Sequence, residues 1–63
     1  MGKIQFTGWT RNEQPFHGDI TADTPEDAAL MVDDALTESG NGSALAVKID
    51  GTDYFPTVIR NQR

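Results

Sequence analysis

Apolar and polar side chains alternate over KIQFTGWT, residues 3–10, placing Ile4, Phe6 and Gly8 on one side and Gln5, Thr7 and Trp9 on the other. That is the period of a half-buried strand. The alternation stops at the polar stretch RNEQP (11–15), and Pro15 sets its restart at a strand edge. It resumes over 16–22, with Phe16, Gly18, Ile20 and Ala22 opposed to His17, Asp19 and Thr21. The two runs predict a hairpin.

From Thr24 the period becomes helical. Thr24 is placed as N-cap, Pro25 as the first helical residue and Asp27 at the reciprocal position of a capping box, while Gly40-Asn41-Gly42 supplies left-handed residues that end the helix. At 100° per residue Ala28, Ala29, Val32, Ala35 and Leu36 form a core-facing stripe, with Met31 at its margin. Glu26, Asp27, Asp33, Asp34, Thr37 and Glu38 lie opposite, and Leu30 falls among these acids.

A third strand is expected over ALAVKID (44–50), with Leu45, Val47 and Ile49 on one face. Asp50-Gly51 is the favoured pair for a tight type I′ hairpin. A fourth strand is then expected over 52–59. Whether the loop is Asp50-Gly51 alone or runs from Asp50 to Asp53, Tyr54, Pro56 and Val58 take the core face and Phe55, Thr57 and Ile59 the other. Pro56 cannot donate to a ladder, which makes this strand an edge or bulged. The last residues, RNQR (60–63), read as a frayed basic tail. The fold class is α+β: a single small domain over 1–63, ββαββ, a four-stranded mainly antiparallel sheet with one helix packed on one face.

Composition narrows the chemistry. A chain of 63 residues sits near the size at which one core only just offsets chain entropy. It has no Cys, which excludes disulfides and thiolate zinc sites, and a single His, which disfavours an all-protein transition-metal site. No cofactor is expected. The sequence shows neither a signal-peptide apolar run nor a membrane-length one, so a cytoplasmic protein without membrane association is expected. Phe6 stands where a myristoylation motif needs Ser or Thr, and Asn41-Gly42-Ser43 is read as a turn and not as a glycosylation site.

The net charge of -5 is uneven. The segment Thr24–Ser39 carries the five acids Glu26, Asp27, Asp33, Asp34 and Glu38 and no Lys or Arg, while the five acids elsewhere match the five bases. The helix dipole favours Glu26 and Asp27. Asp33 and Asp34 have no such support, Asp being a poor mid-helix residue, and Asp34 with Glu38 is a like-charge i,i+4 pair. Local helix preference does not explain them. One reading is a docking face for a basic protein, with Leu30 and Met31 as apolar anchors inside a charged rim. On that reading, replacing Asp33 and Asp34 by Asn should weaken partner binding and leave folding unchanged or slightly improved. Two other readings are mimicry of a nucleic-acid backbone, inhibiting a DNA- or RNA-binding enzyme, and the general acidity of a high-salt proteome.

One helix covers one sheet face. The other face should be polar, yet it is predicted to carry Trp9, Phe55 and Ile59 beside His17, a second binding face or the interface of a homodimer. Direct nucleic-acid binding is not expected, because the bases are few and dispersed. Catalysis is not expected either: His17 and Asp19 share a strand face, but no nucleophile accompanies them. The sequence therefore points to a small non-catalytic interaction module. Its candidate partner face is Glu26, Asp27, Leu30, Asp33, Asp34 and Glu38, and its second face Trp9, His17, Phe55 and Ile59.

Overall fold

The alternating runs at the N-terminus pair as a hairpin in the computed structural model, which describes residues 2–63. Strands β1 (Gly2–Thr10) and β2 (Pro15–Ala22) are antiparallel in unbroken register from Gly2 opposite Ala22 to Trp9 opposite Pro15. Their turn places Glu13 at a left-handed φ of 64°. Glu13 N donates to Thr10 O and Thr10 N to Gln14 O, a type I turn closed by a left-handed residue. Gly8 opposes Phe16 and Phe6 opposes Gly18. A Cβ on Gly8 would overlap the Ala46 carbonyl oxygen and the Phe16 ring, so glycine there lets the sheet pack tightly under that ring.

Helix α1 (Pro25–Glu38) begins and ends as its caps dictate. Thr24 Oγ1 accepts from Asp27 N at 3.1 Å. At the other end Asn41 N donates to Leu36 O and Gly40 N to Thr37 O, with Gly40 at φ 80°, a complete Schellman closure. Strands β3 (Ala44–Ile49) and β4 (Thr52–Tyr54) follow, joined by Asp50 and Gly51 at φ 52° and 79°. Positive φ at both residues is the type I′ turn, and Ile49 opposes Thr52 as the two-residue loop requires. The strand order is β2-β1-β3-β4, antiparallel throughout its neighbours. β2 and β3 therefore run the same way on either side of β1, and α1 makes the crossover between them.

The C-terminal quarter departs from the expected strand. β4 stops at Tyr54, and Pro56–Gln62 forms a second helix, α2, packed against α1 and β3. Pro56 explains both events: it cannot extend the ladder, and its fixed φ suits the first turn of a helix. Pro56 and Ile59, three apart, are the residues of α2 that are buried. Ile59, expected on the open sheet face, is in the core at 9 % exposure, whereas Val58, expected in the core, is 50 % exposed. Residues 60–63 are not a frayed tail, since Arg60 and Arg63 are tied to α1.

A second departure is in β3. Trp9 opposes Ala46 but Thr10 opposes Ala44, so Leu45 is the extra residue of a bulge. The bulge turns Ala44 into the core and leaves Leu45, expected there, 48 % exposed. The core is Ala22, Ala28, Ala29, Val32, Ala44, Val47, Ile49 and Ile59, flanked by the half-buried Ile4, Phe6, Phe16, Ile20, Leu30, Leu36 and Tyr54. Its many alanines let α1 lie close on the sheet.

Candidate functional site

The acidic residues of α1 divide into those that the fold uses and those it leaves free. Asp33 belongs to the first group. Its Oδ1 accepts from the backbone N–H of the buried Ala44 at 2.8 Å and its Oδ2 from Arg60 at 2.9 Å. One carboxylate thus ties α1 to the start of β3 and to α2, which accounts for an Asp in the middle of a helix. Replacing Asp33 would remove these contacts, which helix preference alone does not take into account.

Asp34 and Asp27 are also paired. Arg60 Nη2 lies 2.7 Å from Asp34, and the contact with Asp34, with Asp33 adding to it, raises the guanidinium pKa above its ordinary value. Arg63 Nη2 lies 2.8 Å from Asp27 Oδ1, and this hydrogen bond is the main cause that holds the Asp27 carboxyl below its usual range. The self-repulsion visible in the linear sequence is offset in three dimensions by α2.

Glu26 and Glu38 remain exposed at the two ends of α1. Leu30 is half-buried against the core and does not stand out as a free anchor. It lines instead a surface depression of about 370 Å³, together with Thr21, Ala22, Met31 and the carboxylates of Asp23, Asp27 and Asp34. Met31 is the exposed apolar residue of that group. Asp23 lies outside the helix and was not among the sequence candidates; its place after β2, against the first turn of α1, brings it there.

The open sheet face is organised by register. Pro15, Trp9 and Ala46 form one cross-strand row, and Leu45 bulges beside it. Phe55, one residue past β4, is 46 % exposed, and Trp9 is 55 % exposed. The next row is polar, His17, Thr7, Lys48 and Asp53. Asp19 lies 3.9 Å from Lys3 Nζ, an exposed contact of little energetic weight. Trp9, His17 and Phe55 thus lie on the surface, whereas Ile59 does not join them. Leu45 replaces it, and nothing local in the sequence marks the bulge that puts it there.

No three His, Cys, Asp or Glu side chains among the described residues converge to hold a metal ion. No helix among them is long and apolar enough to cross a membrane. Comparison of the chain with protein-family models, with curated proteins and with solved structures finds no match.

Proposed function

We propose that this chain is a small non-catalytic interaction module that binds a basic segment of a protein partner at the acidic side of α1. The observation that carries the reading is the depression lined by the apolar Leu30 and Met31 together with the acidic Asp23, Asp27 and Asp34. A Lys or Arg side chain fits that combination, its alkyl stem on the apolar part and its charged head among the carboxylates. Arg60 of α2 and Arg63 just after it show the same chemistry within the chain, reaching the carboxylates of α1. Mimicry of a nucleic-acid backbone is the weaker reading, because a phosphate mimic makes no use of the apolar Leu30 and Met31 that line the depression beside these acids.

A second reading places the partner on the open sheet face, favoured by the exposed Trp9 and Leu45, which line one depression. Affinity capture with three baits separates the two. Wild type and Trp9→Ser/Leu45→Ser should retain the same basic protein, and Asp23→Asn/Asp34→Asn/Met31→Ser should lose it. Loss with the sheet variant instead moves the site to the sheet. Equal retention by all three baits would overturn both.

A further inference from the structure

The two edges of the sheet are unlike. β4 has three residues and ends at Phe55-Pro56, so it offers little to pair with. β2 has eight residues, carries no Lys or Arg, and keeps its register with β1 without a bulge. Long, regular edges of this kind are what folded proteins ordinarily blunt.

The hairpin fixes which groups of β2 face outwards. Thr10 N donates to Gln14 O, so Thr10 and Gln14 form a hydrogen-bonded pair, and such pairs alternate along antiparallel strands. Phe16, Gly18, Ile20 and Ala22 therefore bond to β1. His17, Asp19 and Thr21 direct their N–H and C=O away from it, as does the carbonyl of Pro15, whose missing donor falls on the same free side. Beside this edge, between β2 and α1, runs a largely apolar groove of about 410 Å³ lined by Phe6, Phe16, Ile20, Val32, Ala35 and Leu36, with His17, Asp19 and Ser39 as its polar lining.

We propose that β2 pairs with β2 of a second copy of this chain, antiparallel about a two-fold axis at Gly18, making one continuous sheet. Outward groups at alternate positions allow an axis at residue 17, 18 or 19. An axis at 17 sets His17 against itself and Asp19 against Pro15. An axis at 19 sets Asp19 against Asp19. The axis at Gly18 sets His17 opposite Asp19 of the partner copy, twice, on the open face. On the helix side it sets Phe16 opposite the partner's Ile20, twice, where each pair extends over the apolar groove. At the axis the two Gly18 residues present no side chain. The run Phe16-His17-Gly18-Asp19-Ile20 is thus complementary to itself read backwards. The ladder ends at Pro15 and Thr21, before Glu13 and Asp23 of the two copies come opposite. The acidic helices add little repulsion, because Asp27, Asp33 and Asp34 are internally paired.

This pairing is independent of the partner-binding reading, and sedimentation equilibrium tests it. Wild type should shift with concentration from 6.9 kDa to twice that mass. His17→Asp, an exposed change that opposes two carboxylates twice, should weaken the dimer by roughly tenfold. The exchanged variant His17→Asp/Asp19→His should restore it, since it re-forms both opposite pairs in this register and in no other. Three results would each overturn the proposal: a wild-type chain that stays at 6.9 kDa to about 1 mM, an exchanged variant as weak as the single one, or a dimer that responds to Trp9→Ser and not to His17→Asp.

Discussion

At the scale of single residues, Asp33 shows how a side chain that helix preference disfavours is held by what it contacts. Removing its carboxylate leaves the Ala44 N–H buried without an acceptor, which typically costs about 1–3 kcal/mol. Asp33→Ala should lower the urea midpoint accordingly. Asp33→Asn, which keeps an acceptor for Ala44 but loses the charge that meets Arg60, should fall between it and wild type. Asp34→Ala, on the surface, should stay near wild type; an equal loss for Asp33→Ala and Asp34→Ala would show that the Ala44 contact contributes nothing. Glu13 presents the opposite case, a residue whose backbone is strained. Its φ of 64° is one that a side chain disfavours. Glu13→Gly should therefore raise stability by up to about 1 kcal/mol, read from the same titration.

At the scale of elements, α2 gives the sharpest contrast with the linear pattern. A strand over 52–59 would bury Val58 and expose Ile59, and the helix reverses them. Ile59→Ala should cost about 2–4 kcal/mol, and Val58→Ala no more than about 0.5. The reverse order of effects would restore the strand. Which elements the sequence revealed follows from how local their causes are. The β1–β2 hairpin, the caps of α1 and the Asp50-Gly51 turn each depend on a few neighbouring residues, and all are legible. In α2 the alternation of Tyr54, Pro56 and Val58 competes with the i,i+3 spacing of Pro56 and Ile59, and seven residues are too few for periodicity to decide. The bulge at Leu45 and the reach of Arg60 and Arg63 to α1 depend on pairing between distant segments. The acidic helix was legible as a composition, but not its internal neutralisation.

At the scale of the whole molecule, ten acidic residues against five Lys and Arg leave a negative chain whose stability depends on where the few cations go. Two of them, Arg60 and Arg63, close α2 onto α1, so acidification should act on the fold through this contact. The sign follows from Asp27, whose pKa in the folded chain lies below its ordinary value of 3.8 because Arg63 donates to it. A carboxyl with a lowered folded pKa contributes stability that is fully present above its unfolded pKa and is lost as pH falls through the folded one. The difference in urea midpoint between wild type and Asp27→Asn should therefore be constant above about pH 5, shrink below about pH 4 and vanish in stronger acid. Arg63→Gln should reproduce the part of the Asp27→Asn effect that comes from this contact, and the double variant should lose less than the sum of the two, since the contact is removed only once. If the difference between wild type and Asp27→Asn keeps the same size across the acid range, Arg63 is not bound to Asp27 in solution, and α2 is held to α1 by Ile59, Pro56 and the Arg60 pairs alone.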